Sequence, residues 1–131
     1  MLWKLFVAAP DWHLKSPLDA GQERGRYLVE ALGHCAECHT PRNALGGLRS
    51  THWLAGTENP SGKGRIPNIT PAALQWSLEE IADYLETGLT PDVDVVGGSM
   101  AKVVNNLAKL SPEDRLAIAQ YLKALPSIPT P

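Results

Sequence analysis

Apolar residues recur at helical spacing in four stretches of the chain. The first predicted helix begins near Ser16 or Asp19 and ends at Gly33, a residue typical of helix ends. Its apolar face has residues three and four positions apart: Gly25, Leu28, Val29 and Leu32. A glycine inside a helix costs up to about 1 kcal/mol relative to alanine. Gly25 therefore indicates a place where another helix comes close.

The last predicted helix supplies that neighbour. It begins at Ser111, a favourable N-cap, and Pro112 suits the first helical position. Its apolar face repeats the same spacing with Ile118, Tyr121, Leu122 and Leu125. We expect the first and last helices to cross at Gly25, with Tyr121 as a packing residue.

Two further helices are predicted between them. One begins at Ser77, in a capping box with Glu80, and ends at Gly88. The other is short, follows Gly97 and Gly98, and has an apolar face of Met100, Val103, Val104 and Leu107. Residues 40–71 are rich in Gly, Pro and Asn without a sustained pattern, which predicts a long loop region that something else must order. The pattern as a whole predicts an all-α domain of about four helices with long loops.

Composition limits the chain to one domain of 131 residues with a net charge of −2. No basic field suited to nucleic acid is present, and no stretch approaches the roughly 20 apolar residues of a membrane span. We predict a domain at 17–126 and a Pro-rich tail at 127–131. Residues 1–16, with Trp3, Phe6 and Trp12, are predicted to be an extension or an interdomain connector.

The candidate chemistry lies in the sequence Cys35-Ala36-Glu37-Cys38-His39. Two thiols three positions apart, followed by an imidazole, have the spacing at which one haem is attached covalently and coordinated by the histidine. A redox dithiol or half of a zinc site would also use a Cys-x-x-Cys pair. A zinc site usually needs a second ligand pair, however, and these are the only two cysteines of the chain. The spacing therefore favours haem attachment.

Met100 is the candidate for the second iron ligand. Apart from Met1 it is the only methionine, and it follows a Gly-Gly pair that permits close backbone approach to a flat ligand. A thioether opposite a histidine favours reduced iron and raises the potential. The alternative is that Met100 only fills a gap in the core, in which case His52 or His13 is the candidate ligand.

These features resemble a class I cytochrome c domain over roughly residues 22–125. Trp76 and Tyr84 resemble the tryptophan and tyrosine that face a haem propionate and the methionine sulfur in mitochondrial-type cytochromes c. Arg42 with Asn43, the Pro67 to Thr70 run, and the Gly97 to Met100 run more narrowly resemble haem domains of multihaem cytochrome c subunits in membrane-bound alcohol, aldehyde or gluconate dehydrogenases.

The resemblance implies a cytochrome c fold wrapped around one haem c. Its iron ligands would be His39 and Met100, and its cofactor-binding residues would be Cys35, Cys38, His39, Met100, Arg42, Asn68, Trp76 and Tyr84. The other ring nitrogen of His39 should bond a backbone carbonyl; the sequence does not identify which one, and residues 41–48 are only a window in which to search. Arg42 and Trp76 are donors suited to a propionate.

The resemblance further implies an electron carrier and not an enzyme. It would pass electrons from a periplasmic or membrane-bound dehydrogenase, or an adjacent haem domain, to a respiratory acceptor such as an oxidase. Because c-type haem is attached outside the cytoplasm, we expect a periplasmic location, with an export signal or a further domain upstream of the sequence given. The alternative function is a haem enzyme or gas-binding module with a displaceable sixth ligand.

Overall fold

The computed structural model describes residues 11–131. Within that range are five α-helices: α1 (Ala20–Arg26), α2 (Cys35–His39), α3 (Leu78–Thr87), α4 (Met100–Leu107) and α5 (Pro112–Ala124). A 3-10 turn (Ser50–His52) and two short antiparallel strands, β1 (Thr57–Glu58) and β2 (Arg65–Ile66), lie in the long loop region. The mostly helical class is confirmed, but the small sheet was not predicted. No helix of the described part is long and apolar enough to cross a bilayer.

The predicted helix starts are confirmed by their caps. At α1, Asp19 accepts from the Gln22 backbone N–H at 2.8 Å, and the Gln22 side chain accepts from the Asp19 N–H at 3.1 Å. Ser77 and Glu80 form the equivalent capping box at α3, which ends at Gly88 with φ 73°. Ser111 accepts from the Asp114 N–H at 3.2 Å and thereby caps α5. Each cap satisfies backbone donors that have no partner inside the helix.

The first helix ends at Gly33, as predicted, but its last part is not α-helical. From Tyr27 to Leu32 it continues as a π-helix, and the Gly33 N–H donates to the Leu28 carbonyl at 2.7 Å. Gly33 has φ −80°, and the left-handed residue that ends the segment is His34, with φ 49°. The wider π turn rotates later residues relative to an α-helical register. Leu32, predicted on the buried face, is accordingly 58% exposed.

The first and last helices cross at Gly25, as predicted. A Cβ built on Gly25 would lie 1.9 Å from the Ala117 carbonyl oxygen and 2.7 Å from the Tyr121 Cβ. The two backbones therefore touch at a point where only a hydrogen side chain fits. The predicted apolar face of α5 is fully buried there: Ile118, Tyr121, Leu122 and Leu125.

Gly25→Ala should lower the free energy of unfolding by at least about 2 kcal/mol, because overpacking against backbone outweighs the helix propensity of alanine. Urea denaturation of both proteins measures the difference. Gly97→Ala is the matched control, since a Cβ there meets no described atom within 4 Å. Its effect should stay within about 0.5 kcal/mol. Equal free energies of unfolding for the parent and Gly25→Ala would show that the first helix and α5 can move apart without loss of stability.

Residues before α1 also pack on this domain. The backbone N–H groups of His13 and Leu14 donate to the Glu30 carboxylate at 2.7 and 3.3 Å. The Arg26 guanidinium lies 4.9 Å from the Trp12 ring centroid. Trp3 and Phe6, the other aromatic residues of the predicted extension, lie outside the described residues. The boundary at residue 16 stays a prediction, but the described part of the extension contacts α1 and its π-helical continuation.

Candidate functional site

The helix α2 is itself the Cys-x-x-Cys-His sequence. His34 introduces it in a left-handed conformation, and the Thr40 N–H closes it by donating to the Ala36 carbonyl at 3.1 Å. Residues three and four positions apart share a helix face, so one turn brings Cys35 close to both Cys38 and His39. Cys35 is half-buried and Cys38 exposed, while His39 is 7% exposed. The turn thus presents two thiols and one buried imidazole together.

The two thiols have different surroundings. Burial raises the pKa of Cys35 to about 11, so its thiol stays protonated at neutral pH. Gly33 lies next to the Cys35 thiol: a Cβ built on Gly33 would be 3.3 Å from the Cys35 sulfur. Cys35 also packs against the apolar core, whereas Cys38 faces outward.

The buried His39 is oriented by one backbone carbonyl. Its Nδ1 lies 2.7 Å from the Pro67 oxygen, and because a carbonyl only accepts, Nδ1 must carry the proton. Nε2 then has a free lone pair, and no residue in 11–131 donates to it. Burial lowers the pKa of His39, with the Pro67 bond acting in the opposite direction. A neutral imidazole with a fixed tautomer is the form that binds a metal.

This carbonyl lies outside residues 41–48, the window in which the sequence suggested a search. The long loop turns back on itself, so that the Gly56 N–H donates to the His39 carbonyl at 2.7 Å and the Ile69 N–H to that of Leu54 at 3.0 Å. Gly56 has φ 81°, and a Cβ there would lie 2.6 Å from the Asn68 nitrogen. Backbone pairing between distant parts of the loop therefore brings the Pro67 carbonyl to the Nδ1 edge of the ring. The only sequence signal for it was the run from Pro67 to Thr70, noted for its resemblance alone.

Four predicted site residues lie around one apolar core. Cys35, Trp76, Tyr84 and Met100 all pack against the buried cluster that includes Ile81 and Ile118. The Trp76 and Tyr84 ring centroids are 5.3 Å apart at 60°. Burial raises the pKa of Tyr84. Within the described range, neither the Trp76 indole N–H nor the Tyr84 hydroxyl has a protein partner, so both polar ends are free to meet a ligand.

An apolar cavity of about 310 Å³ opens beside this cluster. It lies between the end of the first helix and α4, and its lining is Leu28, Leu32, Gly33, Val103, Asn106, Leu107, Leu110 and Ile118. Gly33 adjoins Cys35, and Val103 and Leu107 share the α4 face of Met100. His39, Trp76 and Tyr84 do not line it. The cavity thus connects the surroundings of Cys35 and Met100 but does not by itself define a ligand position.

Arg42 and Asn68 are engaged elsewhere. The exposed Arg42 guanidinium donates to the Glu37 carboxylate and to the Gly46 carbonyl, the latter at 2.7 Å. Asn68 is buried, and every donor and acceptor of its amide bonds protein atoms. The predicted direct cofactor contact of Asn68 is therefore not supported, because no hydrogen-bonding position remains on it.

The alternative histidine ligands also have partners. The His13 ring stacks on Trp53 with centroids 4.2 Å apart at 11°. His52 Nδ1 lies 3.0 Å from the Thr51 hydroxyl. Neither contact points to a role in metal binding, and the two rings stay secondary candidates behind Met100.

The donor set fits haem better than a closed metal site. Among residues 11–131 no three His, Cys, Asp or Glu side chains cluster as zinc would require. Two thiols, a neutral imidazole on a fixed carbonyl, and an aromatic-lined apolar core suit a flat, covalently held ring with one axial histidine. Fold and site together are those of a small, mostly helical protein of the haem-binding class.

The chain belongs to the cytochrome c family, whose model, described as "Cytochrome c", matches residues 22–126. It is 58% identical over 126 residues to a "Diheme cytochrome c-type" protein of Cereibacter sphaeroides, covering 96% of this chain and 43% of that protein. It is 40% identical to the fructose dehydrogenase cytochrome subunit of Gluconobacter japonicus, over 79% of this chain and 22% of the relative.

A third relative is the gluconate 2-dehydrogenase cytochrome c subunit of Pantoea cypripedii, 36% identical over 91% of this chain and 30% of the relative. The chain therefore spans less than half the length of these three relatives. Membership of the family implies a covalent c-type haem and a role as electron carrier. The resemblance to cytochrome subunits of dehydrogenases is confirmed at the level of the family and these relatives.

Proposed function

We propose that this chain binds one haem c through Cys35 and Cys38, with His39 and Met100 as its iron ligands, and transfers electrons. The observation that carries the proposal is the buried, neutral His39, which directly follows Cys38 and whose Nδ1 lies 2.7 Å from the Pro67 carbonyl oxygen. That arrangement leaves Nε2 free as a donor to iron. A second axial ligand would leave no open position for a substrate.

In this proposal the protein holds the haem, orients its histidine ligand and shields the site from water. When bound, haem supplies a reversible one-electron couple. The Pro67 carbonyl fixes the tautomer and direction of His39, and the apolar cluster keeps water from the site. The Trp76 indole N–H and the Tyr84 hydroxyl, which have no described protein partner, are donors from which a haem propionate would accept.

The proposed donor is a periplasmic or membrane-bound dehydrogenase, or a neighbouring haem domain, and the proposed acceptor is a respiratory component such as an oxidase. The names of the fructose dehydrogenase and gluconate 2-dehydrogenase relatives support this choice. We propose a periplasmic location because c-type haem is attached outside the cytoplasm. Mixed surface charge with a net of −2 suits transient docking.

Mass spectrometry and visible spectroscopy of protein matured with haem-attachment machinery test the proposal. The mass of the denatured protein should increase by that of one haem. The visible spectrum of the ferric protein should show the weak band at its long-wavelength end that reports sulfur ligation of the iron. A mass without haem would refute the attachment. Rapid carbon monoxide binding by the unmodified ferrous protein, without the sulfur band, would favour a gas-binding module instead.

A further inference from the structure

The Asn68 amide uses every hydrogen-bonding position that an asparagine side chain has. Its Nδ2 donates to the Ile128 carbonyl at 2.8 Å and to Thr130 Oγ1 at 3.1 Å. Its Oδ1 accepts from the Thr70 N–H at 2.9 Å and from the Thr70 hydroxyl at 2.8 Å. At 7% exposure, a fully bonded amide is held in one orientation.

Asn68 directly follows the carbonyl that orients His39. The Pro67 C=O and the Asn68 N–H belong to one planar peptide unit, so holding Asn68 also sets the direction of that carbonyl. Gly56 packs against the same peptide unit, because a Cβ built on Gly56 would lie 2.6 Å from the Asn68 backbone nitrogen. The peptide unit is thus enclosed by Gly56 on one side and anchored by the Asn68 side chain.

The anchor lies in residues 128–130. Besides its bond to Asn68, the Ile128 backbone donates its N–H to the Thr70 hydroxyl oxygen at 3.3 Å. The Ile128 carbonyl lies 3.2 Å from the same oxygen, whose single hydrogen is donated to Asn68. Thr70 is fully buried, so these contacts are shielded from water. The Pro-rich segment therefore joins the loop through Asn68 and Thr70, although the two segments are about 60 positions apart in sequence.

We propose that Asn68 is a positioning residue for the iron-binding histidine, and that it holds the Pro67 carbonyl against His39 by fastening it to residues 128–130. This inference rests on the proposed function, since it takes His39 as the iron ligand. A bond that draws on the Nδ1 proton makes the opposite nitrogen a stronger donor and favours oxidised iron. Loosening the carbonyl should therefore raise the reduction potential.

The test compares Asn68→Ala with the parent in haem-bound protein. At a fixed ambient potential, the ratio of reduced to oxidised protein should rise about two- to tenfold, the range that one hydrogen bond contributes. Amide hydrogen exchange at Thr70 and Ile128, whose N–H groups take part in the anchor, should accelerate as well. Thr130→Val removes a single acceptor of the Asn68 amide, so it should give a smaller shift in the same direction and serves if Asn68→Ala fails to fold.

Asn59→Ala is the matched control. Asn59 lies in the same long loop, and its Oδ1 accepts from the Ser61 N–H at 2.9 Å, the same local turn that Asn68 makes with Thr70. It has no described hydrogen bond to residues 128–130, so the potential of the Asn59→Ala variant should equal that of the parent. Unchanged potentials in Asn68→Ala and Thr130→Val, or an equal shift in Asn59→Ala, would overturn the inference. Loss of haem from the parent would instead refute the proposed function.

Discussion

Replacing Cys35 and Cys38 together by alanine is expected to abolish covalent haem attachment completely. These are the only cysteines in the chain, so no other thiol can form a thioether. Cys35 packs against the apolar core, and a ring attached there would supply part of that core. We therefore also expect most of the cooperative fold to be lost. Denatured mass and the far-ultraviolet circular dichroism melting curve measure the two effects.

Glu37→Gln is the control for this experiment. Glu37 lies between the two cysteines but is exposed, and its ion pair with Arg42 is also at the surface. Exposed pairs contribute about 0–1 kcal/mol, so this variant should keep its haem and its melting temperature. Covalent haem in the double alanine variant would contradict the assignment of Cys35 and Cys38.

Met100→Ala is expected to leave the haem attached but to open the sixth coordination position. Loss of a thioether ligand should lower the reduction potential by roughly 0.1–0.3 V, a fraction of the ~0.8 V that axial ligands span. Ferrous protein should then bind carbon monoxide readily, and the weak sulfur band should disappear. Alanine favours helix, so α4 should persist.

Val103→Ala controls for packing in the same helix. Val103 lies one turn after Met100 on the same face and is 38% exposed. Its truncation should leave the spectrum and the potential unchanged. If Met100→Ala also matches the parent in both, then Met100 only packs, and His52 becomes the ligand to test by substitution.

Local signals predicted the helices well, because each rests on groups close in sequence. The caps at Asp19, Ser77 and Ser111 satisfy neighbouring N–H groups, so their residue types mark the starts directly. The crossing at Gly25 was predictable for a different reason: a mid-helix glycine is costly unless another backbone needs the space.

Features that depend on tertiary contacts could not be predicted from the sequence. The π turn from Tyr27 to Leu32 has no residue-type signature, so the exposure of Leu32 could not be foreseen. The partner of His39 was sought nearby, although it is Pro67, 28 positions away. Asn68 was assigned to the cofactor from resemblance, whereas its amide bonds residues 128–130.

The distance in sequence between His39 and Pro67 also bears on the order of folding. Closing a loop of 28 residues costs roughly 3 kcal/mol of chain entropy, so this contact is expected to form late. Until it forms, no described contact fixes the tautomer and direction of the His39 ring. We therefore expect refolding to show a slow phase that ends when this loop closes.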